Sequence, residues 1–180
     1  MEESRSNMLE IRRYRQTDDI DEISSIYALS WKTAYRGIIP DDFLDAISET
    51  RWSPLLKAES NRLLLAIEDG KPVGVSTYCE ARDEALKGWG EIISLYLIPS
   101  HYRKGIGSKL FSEVVDVLAE EGYSDIYLWV LEDNSAARAF YEKNGFMCSG
   151  DINPDNIGGR AVNELRYIRT ATVPIKNITI

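Results

Sequence analysis

The run Glu91–Ser108, EIISLYLIPSHYRKGIGS, constrains the fold more than any other stretch of the chain. An apolar segment, Glu91–Ile98, leads through a proline and a short basic loop to Gly105-Ile106-Gly107. Isoleucine, leucine and tyrosine in the first part favour a strand. Ile106, Leu110, Val114, Val117 and Leu118 then recur at helical spacing up to Gly122. A strand feeding a glycine-led helix is an α/β unit, and such units bind ligands at the C-terminal ends of their strands. Glycines let the backbone approach an anion, and the first free N–H groups of a helix point at it. Arg103 and Lys104 add positive charge there. The stretch predicts a phosphate-bearing ligand, against the simpler reading of a helix that merely begins with glycines.

The other elements build one mixed α/β sheet around this unit. Leu9–Tyr14 reads as a first strand, and Thr17 and Asp18 offer an N-cap to a helix carrying Ile20, Ile23, Tyr27, Trp31 and Ala34. A second helix begins at Pro40, where Asp41 and Asp42 suit its dipole. Arg62–Ile67 and Val73–Cys79 form a hairpin around Asp69-Gly70. Ala81–Lys87 is charged and reads as a loop. Ile126–Leu131 is apolar throughout, as in a strand buried on both faces. Asn134 caps a helix over Ser135–Lys143, closed by Asn144-Gly145. Phe146–Ser149 and Asn163–Arg169 read as the last strands, around Gly158-Gly159.

The 180 residues suit a single domain, with residues 1–7 as a polar leader and 171–180 as an extra strand or a disordered tail. No apolar run reaches the roughly 18–20 residues of a membrane span, and the first residues lack the apolar core of a signal peptide. The expected location is therefore the cytoplasm, with no membrane partner. Cys79 and Cys148 show neither metal nor disulfide spacing, and no metal is expected. A net charge of −8 makes nucleic acid a poor partner and tilts the surface toward cations, or simply keeps the chain soluble.

Two common phosphate motifs are missing. A Rossmann fingerprint needs a third glycine where Leu110 stands, and the Gly70-Lys71 pair lacks the rest of a P-loop. A second segment, NSAARAFYEKNGF over residues 134–146, narrows the choice. Asn134 and Tyr141 lie seven apart, on one side of a helix. Taken with Glu91–Ser108, this segment resembles the GNAT superfamily of acetyl-CoA-dependent N-acetyltransferases. The likeness extends in outline from Leu9 to Arg169. It implies a mixed, mostly antiparallel sheet of about seven strands with a splayed central parallel pair, and about four helices.

The resemblance also assigns residues. The family's pyrophosphate loop, Gln/Arg-x-x-Gly-x-Gly/Ala, falls on Tyr102-Arg103-Lys104-Gly105-Ile106-Gly107, with Tyr102 a departure at the first position. Backbone N–H groups of Arg103 to Ser108 are implied to hold the pyrophosphate. The strand segment Leu95-Tyr96-Leu97 is implied to pair with pantetheine through the main chain of Leu95 and Leu97, and a nearby N–H to stabilise the thioester oxyanion. Asn134 is implied to hydrogen-bond pantetheine from the other side. Tyr141 resembles the family's general acid, with a core aromatic as the other reading. Glu91 occupies a position where some members carry a catalytic base. Its offset of six from Leu97 puts both on one face of a regular strand, and an exposed residue at a strand start is the alternative. His101, in the phosphate loop, is read as structural.

The string SWKTAYRGIIPDDFLD resembles a recurring N-terminal region of the family, where acceptors bind. Trp31 and Tyr35 are candidate substrate contacts, Trp31 also continuing the core stripe of its helix. Asp41, Asp42, Asp45 and Glu84 are acidic candidates for attracting an amine. The implied activity is transfer of an acetyl group from acetyl-CoA to a primary amine of a small molecule, peptide or protein, by direct attack in a ternary complex. The resemblance allows a homodimer. The alternative is a non-catalytic acyl-CoA sensor or interaction module on the same fold.

Overall fold

The computed structural model describes residues 8–58 and 62–171. The expected leader and the tail beyond Ala171 lie outside the described residues.

A seven-stranded sheet runs in the order β1-β2-β3-β4-β5-β7-β6. The strands are β1 (Leu9–Arg13), β2 (Leu63–Glu68), β3 (Lys71–Glu80), β4 (Gly90–Leu97), β5 (Ile126–Leu131), β6 (Met147–Ile157) and β7 (Arg160–Arg169). All neighbours are antiparallel except the central pair β4–β5. Five α-helices occur among the described residues: α1 (Ile20–Ala34), α2 (Asp41–Asp45), α3 (Ser53–Ala58), α4 (Ile106–Glu120) and α5 (Ser135–Lys143). The extra helix, α3, buries only Leu56 and so shows no apolar periodicity in sequence. None of the helices is long and apolar enough to cross a membrane.

Both faces of the sheet are covered. Leu64 and Ala66 of β2 pack into the core shared with α4, while Leu63, Leu65 and Ile67 pack into the core shared with α1. That two-sided burial explains an unbroken apolar strand where alternation would mark a half-exposed one. The predicted α4 stripe, Ile106 to Leu118, is buried throughout.

Two expectations are corrected. Asp19, not Thr17 or Asp18, caps α1 by accepting from the N–H groups of Asp21 and Glu22. Asp18 is instead gripped by Arg12 through two bonds of 2.7 and 2.8 Å. β6 also runs far past Ser149. Gly150, Asn153 and Pro154 argue against a strand locally, but β6 is an edge strand with a bulge between Cys148 and Ile152, where such residues are tolerated.

Two irregularities position the site. The first is a bulge in β4. Thr77 pairs with Ser94 and Tyr78 with Ile92, so Ile93 is the extra residue. Ile92, Leu95 and Leu97 pack on the α4 side, whereas Ser94 and Tyr96 face Tyr27 of α1. The second is the seam between β4 and β5. Only Gly90, Glu91 and Ile92 pair with Ile126, Tyr127 and Leu128, and beyond them the strands part.

Candidate functional site

The gap left where β4 and β5 part is the centre of the site. The Ile98 N–H donates to Val73 O, and Val75 pairs with Tyr96, so the main chain of Tyr96 faces β3. By alternation the N–H and C=O groups of Leu95 and Leu97 face the gap. The Ser30 hydroxyl of α1 donates to the Leu97 carbonyl. Three main-chain groups of this pair thus remain for a ligand: the N–H and C=O of Leu95 and the N–H of Leu97.

At the C-terminal end of β4, a 3-10 turn over Pro99–His101 leads into the basic loop. Arg103 and Gly105 have φ of +59° and +80°. Left-handed residues here turn successive N–H groups inward into an anion-binding nest. No side chain caps α4, and the first internal bond at its start is Lys109 N–H to Gly105 O. The N–H groups of Arg103 to Ser108 therefore make no hydrogen bond among the described residues. Gly107 packs against Leu97, whose Cδ1 would lie 3.0 Å from an added Cβ. Nest and gap are thereby adjacent. Tyr102 is about one-third exposed, 37%, and turns toward Ser30 of α1; it supplies no charge to the nest. His101 is committed to Glu68 at 2.8 Å and to Ser100 at 2.9 Å, a structural role as expected.

On the opposite wall, Asn134 caps α5 through Oδ1, which accepts from Ala137 N–H at 3.2 Å. Its Nδ2 makes no hydrogen bond among the described residues and is available to donate. One face of α5 carries Tyr141 into the core under α4, with ring centroids 5.5 Å from Phe140 and 5.8 Å from Phe111. Core packing and a site position are thus not exclusive for this residue. The Tyr141 hydroxyl has no hydrogen-bond partner among the described residues. Burial pushes the phenol well above its ordinary range, and proximity to Tyr96 adds to the shift. The Tyr141 phenol thus feels the phenol of Tyr96, a residue of the α1 face.

On that α1 face, aromatic side chains line the cleft. Trp31 donates its indole N–H to the Tyr96 hydroxyl at 3.0 Å and meets Tyr35 edge to face at 4.9 Å. The Tyr35 and Tyr96 hydroxyls are 3.5 Å apart. Burial and their mutual contact hold the Tyr35 phenol far up, so this wall is neutral at any physiological pH. Glu164 of β7 also acts on both phenols. The hairpin tip closes the far end of the cleft: Gly158 lies under the Phe43 ring and Arg160 donates to Gly37 O at 3.3 Å.

Glu91 stands at the paired seam, not in the open part of the gap. The bulge at Ile93 reverses the facing of everything before it, so Glu91 lies on the opposite face from Leu97, correcting the even-offset expectation. It sits at the closed seam, 2% exposed. Arg82 donates to it with its guanidinium, at 2.6 and 3.0 Å, and with its backbone N–H at 3.2 Å. Tyr127 donates at 2.7 Å. Burial alone would raise the carboxyl, but these donors outweigh it and hold it below its usual range. A carboxylate so engaged is a poor proton acceptor. Two acidic candidates of the α1–α2 region are also occupied: Arg36 binds Asp45 at 2.8 Å and Asp41 at 3.3 Å. Among the described residues no group of histidine, cysteine and carboxylate side chains is placed to hold a metal, and neither cysteine is in a disulfide.

Sequence reasoning missed Glu164 and the bond from Trp31 to Tyr96. Neither has a motif; both depend on which strands and helices become neighbours.

The sequence profile of the Acetyltransferase (GNAT) family matches residues 21–146. The chain is 28% identical over 168 residues to spermidine N(1)-acetyltransferase of Thermoplasma acidophilum, covering 88% of this chain and 98% of that one. It is 28% identical over 132 residues to the N-acetyltransferase YuaI of Bacillus subtilis, covering 72% and 76%. Among solved structures, PaiA N-acetyltransferase from Thermoplasma acidophilum in complex with coenzyme A superposes with a TM-score of 0.73 at 24% identity, over 91% of this chain and 99% of that one. YncA of Salmonella typhimurium with acetyl-CoA gives 0.69 at 20%, over 97% and 100%.

A splayed sheet, an uncapped helix start at its strand end and an unpartnered phenol on the helix after β5 make up the site of a coenzyme A-dependent acyltransferase. The chain belongs to the acetyltransferase (GNAT) family.

Proposed function

We propose that this enzyme transfers the acetyl group of acetyl-CoA directly to a primary amine of a small molecule or a peptide, in a ternary complex. The observation that carries the reading is the Tyr141 hydroxyl, half-buried and unpartnered among the described residues, on the helix that follows β5, the strand that parts from β4. A relative named for acetylating spermidine supports an amine acceptor. So does the net charge of −8, which also disfavours nucleic acid. Acetyl-CoA is an intracellular metabolite, and the cytoplasm is the proposed place of work.

In this reading the N–H groups of Arg103 to Ser108 hold the pyrophosphate, with Arg103 and Lys104 adding charge. Leu95 and Leu97 pair with the pantetheine amides as a partner strand would. An N–H at this segment polarises the thioester carbonyl and stabilises the oxyanion as the amine attacks. Asn134 Nδ2 donates from the facing wall. The amine attacks as the neutral free base. Collapse forms the amide C–N bond and breaks C–S, the leaving thiolate takes the Tyr141 proton, and the proton shed by the amine nitrogen passes through water to restore the phenol. A free thiol has a pKa of about 8.5 and a phenol about 10, so the raised Tyr141 is the weaker acid. It holds sulfur by a hydrogen bond and parts with its proton only as charge builds there.

Thiol release from acetyl-CoA, followed with a panel of alkyl, aryl, aminosugar and peptide amines, tests the proposal. Amine-dependent release is the expected result. Tight coenzyme A binding with no amine-dependent release across the panel would overturn it in favour of an acyl-CoA sensor.

A further inference from the structure

We infer that Glu164 is a specificity-determining residue of the cleft, the carboxylate that binds the acceptor as an alkylammonium cation. The inference rests on the amine-acetylating reading of the same site and names the charge state of the acceptor that the site selects.

The argument begins with sheet order. Glu164 stands on β7 opposite Leu131 of β5, and opposite Asn153 of β6. Its neighbours Leu165 and Tyr167 pack on the α4 side. Val162, two residues earlier, packs against the cluster that includes Trp31 and Tyr35. Alternation therefore sends Glu164 to the α1 side with Val162, beyond the point where β4 and β5 separate. Its charge is felt there by both the Tyr35 and the Tyr96 phenols.

Its partners set it apart from the carboxylates held in ion pairs. Glu91 is bound by Arg82, Asp41 and Asp45 by Arg36, and Asp83 and Asp151 by Arg166. Glu164 is half-buried and has no cationic partner among the described residues. Asn153 Nδ2 donates to its Oε2 at 2.9 Å, which fixes the carboxylate and leaves Oε1 unengaged by any described residue. A half-buried anion within electrostatic reach of the Tyr35 and Tyr96 phenols is suited to an alkylammonium. The carboxylate pairs with its charge, and the ring faces favour a cation and its apolar chain. An uncharged amine gains little from the same group, and before attack the bound cation gives its proton to water, since only the neutral nitrogen is a nucleophile.

The test uses the full chain and its Glu164→Gln variant with propylamine and 1,4-diaminobutane, both cationic at neutral pH, and with aniline, which is neutral. Steady-state kinetics with acetyl-CoA are paired with calorimetric titration of each amine into the coenzyme A-bound protein, which reads binding without turnover. For Glu164→Gln, KM and Kd of the alkylamines rise tenfold or more. The KM for acetyl-CoA, the melting temperature and the values for aniline stay within twofold or unchanged. Asn153→Ala gives a smaller rise with the same selectivity. Equal effects on cationic and neutral amines, alkylamine binding unaltered by the variant, or no alkylamine binding by the parent protein would each overturn the inference. Alkylamine binding lost in Glu164→Gln without turnover in either protein would uphold it while overturning the acetyl-transfer reading.

Discussion

The indole N–H of Trp31 donates to the Tyr96 hydroxyl at 3.0 Å, tying α1 to the freed half of β4 on the acceptor side of the cleft. Trp31 is thus both a core residue and a support for the cleft wall. Trp31→Phe keeps an aromatic ring but removes the donor and some volume. The expected cost is about 1–2 kcal/mol of stability. The KM for the acceptor rises about three- to tenfold through loosened positioning, with that for acetyl-CoA unchanged. Chemical denaturation and two-substrate kinetics measure both.

Tyr141→Phe removes a hydroxyl that no described residue bonds, and the ring keeps its contacts with Phe111 and Phe140. Turnover is expected to fall by about 10²–10³-fold if the phenol supplies the proton to sulfur. Melting temperature and coenzyme A affinity stay close to the parent values. Unchanged turnover would remove Tyr141 from the chemistry.

Glu91→Gln separates a base from a structural ion pair. The geometry predicts turnover within about twofold, and a loss of about 1–3 kcal/mol in stability as charged donors lose their acceptor. Arg82 is 62% exposed and regains water, so the loss stays at the lower end of what breaking a buried pair costs. The carboxyl is held below its ordinary range in the folded state. Its contribution is therefore complete above the unfolded pKa of about 4.3 and disappears as pH falls through the lower folded value. Denaturation curves of parent and variant should converge in acid and separate toward neutrality. A large turnover loss at unchanged stability would restore Glu91 as a base.

Gly105→Ala tests the nest. An alanine Cβ would meet no atom within 4 Å, so the effect is conformational, arising from φ of +80°. The expected cost is about 1 kcal/mol of stability. Coenzyme A binding should weaken about tenfold as the loop N–H groups turn away. Dephosphorylated pantetheine, which has no pyrophosphate, should lose far less affinity. Calorimetry with both compounds distinguishes a damaged nest from a generally damaged cleft.

Much of this architecture was legible in the residues. Ile126–Leu131 and Ser135–Lys143 have the bounds their patterns predict, because a continuous apolar run and a capped, asparagine-glycine-terminated helix carry local signals. β6 was not legible, since Gly150, Asn153 and Pro154 are locally poor strand formers made acceptable by an edge. The facing of Glu91 was misread because Ile93 looks like any other strand residue, and only pairing with β3 reveals it as a bulge. Glu164 carries no local signal at all. Its importance comes from β7 lying beside β5, a neighbour relation set by the last hairpin folding back into the sheet.

The seam between β4 and β5 has a mechanical consequence. Three residue pairs join the two halves of the sheet at one end of the cleft. At the other, Gly158 lodged under Phe43 and Arg160 bonded to Gly37 form a second joint. A split plank bound at both ends can spread in the middle without coming apart. Width there is set by what lies between, so a thin pantetheine arm can act as a shim that fixes the spacing of the two walls, and with it the separation of Tyr141 and Tyr96.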